Sequence, residues 1–261
     1  MKRTKQQDIP SVLDRFELKY LIPYDWISPI SDFASIYCSL DQYALNSSDG
    51  LYQISSLYLD SPSLYCLRQR QSGAEKRFNM RIRTYVESSD FCFFEIKYKE
   101  QQRIKKFRTR ITDSNWPSVL SGNANSDLFN TPVGAMFYRL SQFYNTSPKV
   151  FTQYRRKAFI SDVDEYARIT FDMDLTYCLQ NEFCLHSSGK DMISYDHELW
   201  FGPGCSVVLE LKCYTTHVPL WMIDMIRHFN LERRRFSKYA AGVTEAMNLN
   251  VYDPLDRMEV N

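Results

Sequence analysis

The sequence predicts an α+β fold in which an eight-stranded antiparallel β-barrel is flanked by helices. Three observations lead to this prediction: eight segments alternate polar and apolar residues, helical segments lie between and after them, and no Pro-, Gly- or Ser-rich linker divides the 261 residues. A closed barrel is expected because closure removes the exposed edges of so long a sheet. We therefore expect a single domain.

The strands are predicted wherever polar and apolar residues alternate, because successive side chains of a strand point to opposite faces. Short polar turns separate the third, fourth and fifth of them. In chain order, the predicted strands are 14–22, 52–60, 76–86, 91–99, 103–112, 149–161, 167–177 and 206–214.

The helices are predicted from apolar periodicity, caps and prolines. Pro23 opens the first helix, which runs to about residue 40, and Pro29 is expected to kink or shorten it. Asp60-Ser-Pro62 resembles a cap followed by proline in the first turn, and predicts a short helix to about residue 69. The other predicted helices are 115–121, about 133–144, 218–231 and 236–248.

Composition and charge limit the class of protein. The chain is 44% hydrophobic and 24% charged with a net charge of +1, which excludes a disordered chain and any global attraction to nucleic acid or membranes. No secretory signal follows the basic N-terminus, and no apolar run approaches the roughly 20 residues of a membrane span. Seven cysteines without a C-x-x-C pair predict free thiols in a reducing cytoplasm. We expect a soluble cytoplasmic protein whose anion site is local.

Long cationic side chains dominate the polar faces of the predicted strands. An ordinary sheet whose charged face meets water explains any one strand. However, the opposite faces are so apolar that helices must cover them, and closure then turns the charged faces toward one another. Such a cation-lined lumen requires a polyanion such as a phosphate polymer. The residues on these polar faces are Arg15, Glu17 and Lys19; Arg77, Asn79, Arg81 and Arg83; Glu95, Lys97 and Lys99; Arg168, Thr170, Asp172 and Asp174; and Glu210 and Lys212.

The sequence lacks the common catalytic signatures. No Walker loop, dinucleotide-binding glycine pattern or kinase motif is present, and the four histidines have no metal-ligand spacing. Isolated carboxylates among strand-borne cations instead favour a hard divalent metal, Mg²⁺ or Mn²⁺, held partly by substrate phosphates. Nucleic acid is disfavoured because most strand aromatics share the apolar face instead of interleaving with the cations.

Eight motifs, in order, resemble the catalytic domain of the vacuolar transporter chaperone (VTC) family, which is similar to the wider CYTH-like superfamily of triphosphate tunnel metalloenzymes. The resemblance covers about residues 14–242, so we expect one VTC-like domain over residues 1–261 with this core. The motifs are Arg15-Phe-Glu17-Leu-Lys19-Tyr20, Ser56-Leu-Tyr58-Leu-Asp60-Ser-Pro62, Arg81-Ile-Arg83-Thr-Tyr85, Phe94-Glu95-Ile-Lys97, Tyr154-Arg-Arg156, Arg168-Ile-Thr170-Phe-Asp172, Leu209-Glu210-Leu-Lys212 and Phe236-Ser-Lys238-Tyr239.

The resemblance implies a tunnel that binds ATP, triphosphate or polyphosphate with Mn²⁺ or Mg²⁺ and transfers the terminal phosphoryl group of ATP to a growing polyphosphate chain. It assigns roles to three groups of residues. The implied catalytic phosphate-binding cations are Lys19, Arg81, Arg83, Lys97 and Lys238; the further substrate contacts are Arg15, Arg156, Arg168, Lys212 and Arg235; and the metal carboxylates are Glu210 and Glu17.

Some alternatives stay open at this stage. Without the resemblance, Glu210 reads as an ion-pair partner of Lys212 or of a facing arginine. Arg155 and Arg156 are adjacent, so in a regular strand they point to opposite faces. We expect Arg156 to point inward. The superfamily signature Glu-x-Glu-x-Lys has Arg15 in place of its first Glu here, which favours the polymerase-like branch. The rival functions are a metal-dependent tripolyphosphatase or nucleoside triphosphatase, and a non-catalytic polyphosphate-binding module.

Overall fold

A computed structural model describes residues 15–85, 90–100, 103–122, 131–186, 192–214 and 217–249. Its strands are β1 Arg15–Ile22, β2 Cys38–Leu40, β3 Tyr52–Asp60, β4 Lys76–Tyr85, β5 Cys92–Glu100, β6 Arg103–Ile111, β7 Ser147–Ser161, β8 Ala167–Leu179, β9 Ile193–Ser194 and β10 Val207–Tyr214. Its helices are α1 Ile27–Ser35, α2 Gln42–Leu45, α3 Tyr65–Gln71, α4 Trp116–Leu120, α5 Pro132–Phe143, α6 His197–Phe201, α7 Leu220–His228 and α8 Lys238–Ala246.

The ten described strands form one antiparallel sheet that rolls into a barrel-like tunnel. Eight of them follow the order β1-β10-β8-β7-β3-β4-β5-β6, while β2 pairs with β7 and β9 pairs with β8. The predicted α+β class, the antiparallel strands and the flanking helices are therefore confirmed.

Main-chain closure of the barrel was expected and is not found in the described part of the chain, where β1 and β6 are the two ends of the hydrogen-bonded path. Part of the reason is that β1 has another partner on its outer edge. Arg233 forms an isolated bridge with Tyr20, and the Arg234 amide donates to the Lys19 carbonyl at 2.8 Å. Side chains span the gap instead, because Lys97 of β5 contacts Glu17 of β1.

The apolar core lies on the outer face of the sheet, under the helices. One cluster packs β3, β4 and β5 against α3, α4, α5 and α8, and includes Phe94 and Phe137, whose ring centroids are 4.4 Å apart. A second cluster packs β1, β8 and β10 against α1 and α7. Apolar side chains of the strands thus face the helices, which leaves the polar faces for the tunnel.

The predicted helix from Pro23 to about residue 40 is wrong in its second half. A 3-10 turn at Tyr24–Trp26 precedes α1, and β2 then pairs with the end of β7. This pairing with an extended strand overrides local helix preference. Pro29 occupies the third residue of α1, where the missing N–H has no partner within the helix to lose, so the expected kink is not needed.

The short helix after β3 begins later than expected, at Tyr65. The buried Asp60 carboxylate accepts from the amides of Ser61, Cys66 and Leu67, so it caps a helix displaced along the chain. The alternation and periodicity of the sequence do not predict β2, α2, β9 and α6, which are all five residues or shorter.

The seven cysteines are all free thiols, and five of them are buried, which confirms the thiol prediction. None of the described helices is long and apolar enough to cross a membrane. The N-terminal segment considered for a signal, together with Asp14 and Val86 at the ends of two predicted strands, lies outside the described residues.

Candidate functional site

The charged strand faces meet inside the tunnel, as parity predicted. Arg81 and Arg83 of β4 both approach Glu95 of β5. Lys97 of β5 contacts Glu17 of β1 across the opening of the sheet. On the far side of this opening, Lys19 of β1 pairs with Glu210 of β10 at 3.0 Å. The structure therefore brings Lys19, Arg81, Arg83 and Lys97 to one lumen.

Glu95 of β5 organises the cations of β4 and β6. Its side chain is 1% exposed. One carboxylate oxygen accepts from Arg81 Nε at 2.7 Å, and the other lies 2.6 Å from Lys106 Nζ and 3.3 Å from Arg108 Nε. Burial raises the pKa of Glu95, but the surrounding cations outweigh this effect and hold it well below its usual value. Glu95 is thus a permanent counter-charge within a positive surface.

Hydroxyl groups fix the directions of the two β4 arginines. Arg81 Nη1 donates to the Tyr58 hydroxyl at 3.2 Å. Arg83 donates from Nε to Ser56 Oγ at 3.1 Å and from Nη2 to the Tyr154 hydroxyl at 3.0 Å. Because each guanidinium is held at several points, both are preorganised, and little side-chain freedom is lost when an anion binds.

Asp172 forms a second buried centre between β7, β8 and α8. Arg156 donates to both of its oxygens, from Nε at 2.6 Å and from Nη2 at 2.8 Å, and Lys238 Nζ donates to Oδ2 at 2.6 Å. Burial raises the pKa of Asp172, but Arg156 and Lys238 bring it below its usual value. Lys238 reaches this position because Ser237 caps α8, which makes Lys238 the first helical residue.

The structure separates Arg155 from Arg156. Arg155 points outward, where it contacts Asp49 and lies 3.6 Å from Asp174. The inward prediction for Arg156 is confirmed. Asp174 had been placed on the same face as Asp172, and this is wrong: the backbone of Asp174 has φ of 54°, which breaks the strand alternation and turns the side chain to solvent.

Glu210 and Glu17 lie on the lumen face of β10 and β1. Both oxygens of Glu210 are occupied by lysines, Oε1 by Lys19 at 3.0 Å and Oε2 by Lys212 at 2.7 Å. Burial raises the pKa of Glu17, whereas Lys97 and Lys212 lower it, and the result is about 2. The ion-pair interpretation of Glu210 therefore describes this arrangement.

The donor set limits how a metal could bind. Within the described ranges, no three His, Cys, Asp or Glu side chains are grouped so that they could hold a metal ion. Glu17 and Glu210 alone do not make a protein-only cation site. They fit a different case, in which Mg²⁺ or Mn²⁺ is bound by one or two carboxylates and receives its remaining ligands from substrate phosphates and water.

The remaining predicted residues lie nearer the tunnel ends. Arg168 binds Asp41 at 2.6 Å and donates to the Tyr52 hydroxyl at 3.3 Å. Arg235 is exposed and lies near Lys99, whose pKa is lowered by burial and by neighbouring arginines. Arg15 pairs with Tyr214 along the backbone, but its side chain lies outside the described parts of the structure.

Sequence reasoning missed Lys106 and Arg108, which both contact Glu95. The signal was present, because Lys106, Arg108 and Arg110 alternate with Phe107 along β6 just as the cations of the other strands alternate with apolar residues. The hydroxyls of Tyr58, Tyr154 and Ser56 carried no such signal, since tyrosine and serine occur on either face of a strand.

Cations outnumber carboxylates on the lumen side of the described tunnel. Five carboxylates pair with them and reduce the self-repulsion expected from the sequence, yet a positive excess remains. The cations are Lys19, Arg81, Arg83, Lys97, Lys106, Arg108, Arg156, Arg168, Lys212 and Lys238, and the carboxylates are Glu17, Asp41, Glu95, Asp172 and Glu210.

Comparison with known proteins agrees with this geometry. A curated relative is the vacuolar transporter chaperone complex subunit 4 of Trypanosoma brucei brucei (strain 927/4 GUTat10.1). It is 23% identical over an alignment of 275 residues, gaps included, and the alignment covers 91% of this chain. The chain spans 32% of the length of that relative. Among solved structures, a putative adenylate cyclase of Bacillus halodurans has a similar fold, with a TM-score of 0.51, 10% identity and coverage of 87% of this chain and 95% of the other.

A model of the VTC domain matches residues 14–247, nearly the whole of the chain. This match agrees with the order of the charged motifs, with the barrel-like tunnel and with the lumen that carries them. The chain belongs to the VTC domain family.

Proposed function

We propose that this protein is a polyphosphate polymerase that transfers the terminal phosphoryl group of ATP to a growing polyphosphate chain inside the tunnel. The observation that carries the proposal is the positive excess of preorganised arginines and lysines along one lumen. Membership of the VTC domain family and similarity to a vacuolar transporter chaperone complex subunit support it.

The arrangement suits a linear polyanion better than a compact one. Cations line the tunnel on β1, β4, β5, β6, β7, β8, β10 and α8, so a phosphate chain inside the lumen meets donors from several sides. Arg81 and Arg83 lie in consecutive positions of the same face and contribute forked donors, which match phosphate oxygens in pairs.

The chemistry requires positioning and charge neutralisation more than proton transfer. A terminal oxygen of the acceptor chain attacks the γ-phosphorus of ATP. The bond from that phosphorus to the β,γ-bridging oxygen breaks, and ADP leaves with the electron pair. The attacking oxygen is already anionic near neutral pH, so no general base is needed. The cations around Glu95 and Asp172 neutralise the negative charge of the transferred group.

A divalent metal, Mn²⁺ or Mg²⁺, fits beside Glu210 and Glu17 together with the phosphates. When bound, it would neutralise charge on the leaving phosphates. Lys19 and Lys212, which now occupy both oxygens of Glu210, would then be free to contact phosphate oxygens.

A metal-dependent tripolyphosphatase or nucleoside triphosphatase is the second candidate, and one observation favours it. Several lumen cations remain open to solvent, with side-chain exposures of 37% for Lys97 and 41% for Lys106. Water that reaches the γ-phosphate would compete with the acceptor chain. Arg15, which stands at the place of a superfamily carboxylate, favours the polymerase.

The compartment and the domain division stay predictions. The free thiols suit a reducing cytoplasm. Residues 1–261 are proposed to form one domain, with a core near 14–242, and ATP, triphosphate and polyphosphate are the proposed ligands, whereas nucleic acid is not.

The test is an analysis of products after incubation with ATP and Mn²⁺. If the protein is a polymerase, we expect a gel to show polyphosphate longer than the starting phosphates, with one ADP formed for each phosphoryl group transferred. Free phosphate as the main product would support the triphosphatase. Binding of polyphosphate without any turnover would indicate the non-catalytic module.

A further inference from the structure

One mouth of the tunnel carries aromatic rings on the same strand faces as the cations. Tyr85 follows Arg83 on the lumen face of β4, and Phe93 precedes Glu95 on that of β5. The two rings meet edge to face, with centroids 5.9 Å apart. Strand aromatics were expected mainly on the apolar face, so this mouth is an exception.

Arg108 lies over one of the rings of this aromatic mouth. Its Cζ is 3.4 Å from the centroid of the Phe93 ring, and Nη2 donates to the Tyr85 hydroxyl at 3.3 Å. The side chain is nevertheless 36% exposed, so part of it remains open to solvent. The mouth therefore presents a planar cation that is held by an aromatic ring and a hydroxyl group and that solvent still reaches in part.

The opposite end of β5 has a different character. Six residues beyond Phe93, about 20 Å along the strand, Lys99 lies near Arg77, Arg70 and Arg235. These four cations form a positive cluster that attracts phosphate. We call this end the cationic mouth and the end at Tyr85 and Phe93 the aromatic mouth.

We propose that the exposed part of Arg108 stacks on the nucleobase of a nucleoside triphosphate, which places the base at the aromatic mouth and directs the triphosphate into the tunnel. The inference rests on the proposed use of a nucleoside triphosphate. Guanidinium planes and aromatic rings are the surfaces on which proteins stack bases without reading their sequence. A phosphate group instead binds the N–H edge of a guanidinium and does not stack on its flat face.

Arg108 also lies next to the cations that are proposed to bind phosphate. Its Nε lies 3.3 Å from Glu95, at the edge of the same cation cluster that contains Arg81 and Lys106. A base stacked on Arg108 therefore leaves its own phosphates next to the donors that are proposed to bind them.

The experiment compares ATP with inorganic tripolyphosphate, which has the phosphates but no base. Binding is measured by calorimetry in EDTA, where metal-dependent turnover is stopped. Arg108→Lys keeps the charge and removes the plane, so we expect the preference for ATP over tripolyphosphate to fall about fivefold or more. Phe93→Leu keeps an apolar side chain but removes the ring under Arg108, and the same loss is expected.

Arg77→Lys is the matched control at the cationic mouth, and its preference for ATP should equal that of the wild type. An unchanged preference in both Arg108→Lys and Phe93→Leu, or a loss confined to Arg77→Lys, would overturn the inference. A ten-nucleotide single strand without a triphosphate should bind at least tenfold more weakly than ATP. Tighter binding would contradict the inference and indicate a nucleic-acid site.

Failure of the proposed function is distinguishable from failure of this inference. If the wild type makes no polymer but Arg108→Lys loses the preference for ATP, the polymerase proposal fails and the stacking site stands. If the wild type makes polymer and the preference is unchanged in the variants, the stacking site alone fails.

Discussion

Arg156 and Asp172 form a two-pronged ion pair that is almost completely buried, with Nε to Oδ1 at 2.6 Å and Nη2 to Oδ2 at 2.8 Å. Lys238 completes the centre from the first turn of α8. The pair joins β7 to β8, and the lysine ties the last described helix to both strands. Stability and the proposed phosphate binding would therefore depend on the same three side chains.

Replacement of Arg156 by alanine should affect both folding and catalysis. Loss of one partner leaves Asp172 buried with only Lys238, at a cost of about 3 to 5 kcal/mol in the free energy of unfolding. Arg155→Ala is the matched control, because its pairs with Asp49 and Asp174 are exposed and contribute little to stability. Denaturant unfolding and ATP consumption measure the two effects. Equal and negligible effects in both variants would remove Arg156 from the site.

Arg81→Ala should weaken tripolyphosphate binding while the fold is kept. Glu95 retains Lys106 and Arg108, so the deletion does not leave the carboxylate unpaired. Each direct arginine contact to phosphate contributes about 1.5 to 3 kcal/mol, and the salt dependence of binding should become shallower as one cation is lost. Calorimetry over a range of salt concentrations tests this. Unchanged affinity at low salt would contradict the placement of Arg81 in the phosphate path.

Glu210→Gln should separate metal-dependent turnover from phosphate binding. The variant keeps the shape of the side chain but removes one negative charge from a site for anions, so tripolyphosphate should bind as well as before or more tightly. Turnover with Mn²⁺ should be lost. Glu17→Gln gives the comparison on the neighbouring strand. Full turnover of Glu210→Gln at ordinary Mn²⁺ concentration would show that Glu210 serves only as the partner of Lys19 and Lys212.

Acid should weaken the fold through Glu17. Its pKa is about 2 in the folded chain, against the ordinary value of 4.5, so the unfolded chain binds more protons in this range. The resulting stabilisation, at most about 3 kcal/mol, is complete above the unfolded pKa and is lost as the pH falls from about 5 to 2. The difference in unfolding free energy between wild type and Glu17→Gln should therefore shrink over that interval. A constant difference from pH 6 to pH 2 would contradict this account.

The sequence predicts the strands well because each carries a simple alternation. The strand Tyr52–Asp60 agrees at both ends, and the cations of β4 and β5 point to the lumen as their parity requires. Alternation fails where the backbone departs from regular geometry, as at Asp174 with its positive φ. Parity is therefore a reliable guide to a face only while the strand stays regular.

The partners of the cations were not predictable from parity alone. That Glu95 gathers side chains from β4 and β6, and that Asp172 receives Lys238 from a distant helix, depends on how the sheet rolls. Main-chain closure, which the described strands do not show, was also predicted wrongly, because nothing in the sequence near Arg233 indicates that this segment pairs with the edge of β1. Both features arise from contacts between residues far apart in the chain.

The most direct test of the account is a crystal structure of the protein with tripolyphosphate and Mn²⁺. We expect phosphates inside the lumen, within hydrogen-bond distance of Arg81, Arg83 and Lys97, and the metal between the phosphates and Glu210. Phosphates bound only on the outer surface, with the pairs of Glu95, Asp172 and Glu210 unchanged, would contradict it.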